Sequence, residues 1–314
     1  MLKQLAITPP VIGRISIGRI VEKDGKRRPE KDDQFTLTTQ IQTRQGWVTH
    51  PLDGQLRADA PGGKLRSLPV RLLFNDPDLN LRADYTRFDR NTGRPLCVGD
   101  GETCRRRTED GVQSLPCPGP EACPLAGEGA CKPYARLSVR IGDDDDVGVF
   151  LFRTTSYNSI RTLTARLTYY HALSGGHLAT LPLCLKLRGK STRQSHGTAI
   201  YYVDLTLREE QPLDVALVEA RDLAETLAAR GFDQAALDAA ARAGLANGAF
   251  EYSEDEGLEV VEEFPPEAPG SEPHRDGPKS DETPPSGLRQ KLGLAHPSDA
   301  NPASPSRPGG PGVA

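Results

Sequence analysis

The chain has 314 residues, 36 % of them apolar, with 43 acidic and 39 basic side chains and six cysteines; that is enough to build a core without a disulfide framework. Its longest apolar runs, such as VGVFLF at 147–152, fall far short of the roughly 20 residues a membrane-spanning helix needs. The opening MLKQLAITPPVIG reaches proline before any apolar run accumulates, so no secretory signal and a reduced, cytoplasmic setting are expected.

Strand patterns, alternating or β-branched, open the chain at 13–21, 35–43 and 68–74. A cysteine-rich insert follows at 97–131, too polar and too rich in Gly and Pro for regular structure. Further strands are predicted at 135–141, 147–154, 178–188 and 198–207. Between them, SYNSIRTLTARLTYYHAL at 156–173 spaces Ile160, Leu163, Leu167 and Tyr170 three and four apart behind Ser156 as N-cap, which predicts one amphipathic helix packed on the sheet. From Leu213 two helical patterns, broken at Gly231, form a pair. These elements predict an α+β fold: a mainly antiparallel sheet or partly open barrel over 1–210, with a zinc-stapled loop at 97–131 and a helical pair at 211–248.

The remainder, 249–314, reads as a disordered tail. Residues 251–314 carry 13 acids against 5 bases and 12 of the 27 prolines, a composition that buries too little apolar surface to offset the entropy of ordering. Residues 1–250 then hold 30 acids against 34 bases. The body is mildly basic.

Five of the six cysteines crowd into the insert: Cys97, Cys104, Cys117, Cys123 and Cys131. A long irregular loop needs a staple, and a reducing compartment disfavours disulfides. Four thiolates around Zn²⁺ satisfy both conditions, and a shell with all four ligands from protein is structural, since a catalytic zinc keeps one position for water. Cys117, Cys123 and Cys131 share the Pro/Gly-rich half. The fourth ligand is Cys97 or Cys104; Cys97 is favoured because it ends a run before the GDG turn, whereas Cys104 stands in ETCRRR, where a short helix could begin.

From Val147 to Val203 there is no acidic residue, while Arg153, Arg161, Arg166, Lys186, Arg188, Lys190 and Arg193 fall inside. This predicts a positive surface for phosphate backbones or an acidic partner, with KLRGKSTRQSHG at 186–197 as its densest part. Other signals are weaker. GKST at 189–192 has Cys184 where a phosphate-binding loop needs its first glycine. Asp143–Asp146 reads as a polar hairpin connection, and Asp100 and Glu102 as turn and capping residues, although they are the best hydrolytic candidates. His171, His177 and His196 read as surface or capping residues.

Several stretches together, LPVRLLFNDPDLNLRADYTRFDRNTGRPLCVGDGE, LPCPGPEACP, CKPYARLSVRI, FLFRTTSYNSIRTL and LPLCLKLRGKSTRQSHGTAIYYVDLTL, resemble the recombination directionality factor-like family over about residues 66–208. The resemblance implies a noncatalytic accessory protein of a phage or other mobile element. Such factors bind a large serine integrase on its site DNA and favour excision over integration. It also implies that Cys97, Cys117, Cys123 and Cys131 occupy the family's cysteine places and that Cys104 is the spare. The helical pair and the acidic tail lie outside it. Two other readings stand beside this one: a metal-dependent hydrolase or nuclease, and a single-strand-binding protein that stacks bases on Tyr157, Tyr169 and Tyr170.

Overall fold

A computed structural model describes residues 7, 9–23, 26–44, 46–89, 91–143, 148–191, 199–209, 211–245, 260 and 264. Arg193, His196, Asp144–Asp146 and nearly all of the 249–314 tail lie outside the described residues. In chain order the elements are β1 (Val11–Lys23), β2 (Lys26–Thr43), β3 (Gly46–Thr49), α1 (Pro51–Asp59), β4 (Ser67–Arg71), α2 (Pro77–Asn80), β5 (Leu81–Phe88), β6 (Pro95–Gly99), β7 (Thr103–Thr108), β8 (Gly111–Pro116), α3 (Gly119–Ala122), β9 (Cys131–Ile141), β10 (Val149–Thr154), α4 (Tyr157–Leu173), β11 (Leu183–Lys190), β12 (Ile200–Leu207), α5 (Leu213–Ala229) and α6 (Gln234–Leu245).

The strands form an open sheet in the order β3-β2-β1-β10-β9-β5-β6-β7-β8. A branch leaves the far end of β9, where Val70 and Arg71 of β4 pair with Ile141 and Arg140, and continues through β11 to β12. The β1–β10 pair is parallel and the other pairs are antiparallel. The fold is therefore mixed α+β with a sheet that does not close. Leu37, Leu68, Val70, Leu137, Phe152, Leu163, Leu167, Leu183 and Leu205 meet in one core, all essentially inaccessible to solvent.

The predicted amphipathic helix is α4. Ser156 caps it, its Oγ accepting from Ser159 N at 3.5 Å, and Ile160, Leu163 and Leu167 turn into the core. Ser159 Oγ, fully buried, accepts from Val203 N at 3.1 Å and locks the helix to β12. The helical pair is present as α5 and α6, and Gly231, at φ +91°, takes the left-handed turn between them. Both helices pack on the body: Ala220 enters the main core, and Leu237 and Ala241 enclose Phe74 and Leu79 in a second cluster.

The cysteine-rich segment differs from expectation. It is not an irregular loop, and a zinc-stapled loop is not evident among the described residues. Cys97 lies on β6, Cys104 on β7 and Cys131 opens β9. Polar composition misled because β7 and β8 form an edge ribbon paired through the backbone, in which Arg107, Gln113 and Ser114 face water while Arg106 turns to the cysteines. For the same reason the helix anticipated at ETCRRR is strand. Gly111, at φ +104°, closes its two-residue turn.

Candidate functional site

Register gathers three of the five thiols, while Cys117 and Cys123 lie beyond β8 and after α3, outside the strands. Cys97 and Cys131 both pair with Arg87 of β5, one from each side, so all three side chains share a face. Across β6 and β7, Cys97 pairs with Arg106 and Gly99 with Cys104, which adds Cys104 and Arg106 to the same face. Cys117 arrives from beyond β8. A Cβ built on Gly99 would stand 2.7 Å from Cys104 Cβ, 2.8 Å from Thr103 O and 2.9 Å from Cys117 Sγ. The missing side chain of Gly99 therefore leaves the space that Cys117 occupies.

The proximity shapes how these groups titrate. Burial, followed by the neighbouring Cys97, Cys123 and Cys117, pushes the Cys131 thiol up to about 11. Burial and a hydrogen bond with Cys97 do the same for Cys104, also to about 11. The Arg106 guanidinium is held charged first by its bond to Cys97 and further by Cys104 and Cys123. Cys104 Sγ also donates to Pro116 O at 3.7 Å. All the cysteines are free thiols. In donor chemistry and facing, this set fits zinc, which prefers soft thiolates. It does not present an assembled site: among the described residues no group of three or more His, Cys, Asp or Glu side chains is arranged to hold a metal ion.

Of the predicted basic residues, Arg161 and Arg166 lie on α4 and Lys186, Arg188 and Lys190 on β11, where the structure pairs most of them; Arg153 is buried on β10, and Arg193 lies outside the described residues. Buried Asp204 on β12 takes two: its Oδ1 accepts from Arg166 Nε at 3.1 Å and its Oδ2 from Arg188 Nε at 3.0 Å. Lys186 pairs with Glu209. Lys190 Nζ donates to Asn158 Oδ1 at 2.7 Å and lies 5.9 Å from the centre of the Tyr202 ring. Arg161 projects from α4 into solvent. The acid-free window thus overstates the positive field, because the acids that answer it stand just past its end, at 204 and 209. The exposed rings of Tyr157 and Tyr169 lie on the same helix.

The carboxylates singled out in the sequence have structural partners. Asp100 Oδ1 accepts from Glu102 N and Thr103 N, each at 2.8 Å, holding the turn between β6 and β7 and lowering the carboxyl pKa. Asp143 joins Arg208 and Arg71: Arg208 Nη2 donates at 2.7 Å and Arg71 Nε at 2.6 Å. His171 Nδ1 meets Asn75 O at 2.7 Å. Sequence reading missed buried Arg71, which also reaches Thr180 O and, at 2.6 Å, Glu219 of α5. A lone arginine in a strand pattern gives no signal of such a hub.

Among the described residues no helix is long and apolar enough to cross a membrane. No curated protein and no solved structure matches the chain. A family model described as Gp3-like, recombination directionality factor-like, matches residues 12–208, from the start of β1 to just past β12. With well over half its length inside that match, and the sheet, the thiol face and α4 all within it, the chain belongs to the Gp3-like, recombination directionality factor-like family.

Proposed function

We propose that the chain is a noncatalytic, zinc-holding accessory protein of a mobile genetic element, which binds a serine integrase, DNA or both and so sets the direction of site-specific recombination in the cytoplasm. The observation that carries this reading is the family match over 12–208. The convergence of reduced thiols on one face of β6, β7 and β9 supports the metal. Cys97, Cys117, Cys123 and Cys131 would hold Zn²⁺, with Cys104 engaged by Pro116 O beside them. When bound, the ion cross-links the β6–β8 arm to the root of β9 and supplies no reactive water, because four thiolates fill its shell. The arm would then be a rigid docking element. Arg161, Arg166, Lys186, Arg188 and Lys190 are the nearest basic groups for an anionic partner, with Arg161 the most available.

Two measurements test this reading. Elemental analysis of the purified chain should find about one zinc per chain, and chelation should collapse hydrogen-exchange protection in β6–β8 while sparing β9–β10. In a reconstituted reaction with the serine integrase of the same element, the chain should shift product from integration to excision. An integrase whose product ratio ignores the added chain would refute the recombination role; a metal-free protein with a fully protected arm would refute the zinc.

A further inference from the structure

Through the thiol face runs a row that alternates basic and sulfur side chains. The register pairs Arg106 of β7 with Cys97 of β6, Cys97 with Arg87 of β5, and Arg87 with Cys131 of β9. Directly paired residues share a face, on strands about 4.8 Å apart, so Arg106, Cys97, Arg87 and Cys131 lie abreast in that order. Cys97 thus has a guanidinium on either side, and Cys131 has one. Two like charges about 10 Å apart on a partly covered face repel unless anions stand between them.

The contacts of the two arginines run to the cysteines and their loop. Arg106 is hydrogen-bonded to Cys97, and its Nη2 donates to Cys104 Sγ at 3.9 Å. Its Nε is buried without an acceptor. A buried N–H left unmade costs free energy, which a thiolate beside it would recover. Arg87 Nη1 donates to Leu125 O at 3.0 Å, two residues past Cys123, and in the same turn Cys123 O accepts from Ala126 N at 3.0 Å. Arg87 therefore ties the segment that carries Cys123 to the middle of the row. Arg107, the next residue on β7, instead faces water on the opposite side of the ribbon.

We propose that Arg87 and Arg106 are positioning residues of a thiolate metal site: they hold the sulfurs and the Cys123 loop, not the ion, and supply the positive charge that a four-thiolate shell leaves unbalanced. The inference rests on the zinc reading above and deepens it. Four thiolates on a divalent ion leave a double negative charge. Two guanidiniums cancel it, so the filled site is neutral and can stay partly buried without a further counter-ion. The guanidinium is planar and offers its N–H groups in a fixed fork, which lets Arg106 serve Cys97 and Cys104 together; an ammonium would bring the charge without that geometry.

The test uses the full-length chain and zinc ion alone, with affinity read by competition against a chromophoric chelator. Arg106→Gln and Arg87→Gln should each weaken zinc binding about 10- to 100-fold, and Arg106→Lys should recover part of the loss. Arg107→Gln makes the same change in net charge on the opposite face of β7 and should shift the affinity by less than about two-fold. Urea midpoints separate this role from a merely structural one. Arg106→Gln should lower the midpoint of the zinc-loaded chain and leave that of the chelated chain unchanged or higher, since without thiolates between them the two guanidiniums only repel. Gln variants that hold zinc as tightly as Arg107→Gln does, or an Arg106→Gln chain that loses equal stability with and without zinc, would overturn the proposal while the zinc reading stands. A parent chain that takes up no zinc would overturn the reading beneath it as well.

Discussion

The packing of the thiol face makes Gly99→Ala the sharpest single test of that region. Gly99 closes β6 without a left-handed φ, so its backbone would accept alanine, and the cost must come from space. A Cβ there meets Cys104 Cβ at 2.7 Å, Thr103 O at 2.8 Å and Cys117 Sγ at 2.9 Å. Two of these belong to β7 and cannot yield without bending the ribbon; only the Cys117 thiol can swing away. Overpacking of this kind costs about 2 kcal/mol, which at a urea slope of about 2 kcal/mol/M lowers the unfolding midpoint by about 1 M. Gly127→Ala is the control, since a Cβ at Gly127 meets nothing within 4 Å and should change stability by less than about 0.5 kcal/mol. The second readout is chemical: in Gly99→Ala the displaced Cys117 should react faster with a thiol reagent, and the protein should retain less zinc. Combining Gly99→Ala with Cys117→Ala removes one of the three clashes and should recover part of the midpoint. An unchanged midpoint together with unchanged Cys117 reactivity would refute the packing argument.

Other perturbations probe different parts of the molecule. Asp204→Ala removes the acceptor shared by Arg166 and Arg188, which are 47 % and 45 % exposed; with that much solvent screening the loss should be about 1–2 kcal/mol by thermal or urea unfolding. The two released guanidiniums should steepen the salt dependence of DNA binding by about two in log–log slope. Leu163→Ala, at a position with no solvent exposure in the core under α4, should cost about 2–5 kcal/mol in urea unfolding and leave zinc content unchanged. Asp143 is held below the ordinary carboxylate range, first by Arg208 and then by Arg71. Because its folded pKa is depressed, its contribution is complete above about pH 4 and is lost as pH falls toward the folded value. The stability gap between the parent and Asp143→Asn should therefore be widest near neutrality and shrink in acid titrations below pH 4.

What the sequence made legible follows the strength of local periodicity. The α4 stretch was readable to the residue, because its cap, apolar spacing and Gly-Gly exit all act within one short segment. The strands at 35–43, 135–141 and 198–207 announce themselves through β-branched alternation and a buried face. β5 and the β6–β8 arm did not, since LRADYTRF and TCRRRT carry three charges each, lack a clean apolar alternation and owe their conformation to backbone pairing with neighbouring strands. The thiols were identifiable as a group from their crowding. Their common face was not, because it depends on β5 lying between Cys97 and Cys131, a long-range register that no spacing encodes. The basic window failed in part for a related reason: Arg166 and Arg188 reach an acid 38 and 16 residues away.

The helical extension shows how a segment outside the family match becomes part of the body. Arg71 belongs to β4, well inside the matched span, yet its guanidinium is shared among Asp143 beyond β9, Thr180 O before β11 and Glu219 on α5. A buried guanidinium requires several acceptors, and one of those here comes from the extension. The apolar contacts repeat the pattern, with Phe74 and Leu79 capped by Leu237 and Ala241, and Gln234 Nε2 donating to Leu73 O at 3.0 Å. α5 and α6 therefore satisfy polar and apolar groups that the sheet alone would leave open to water.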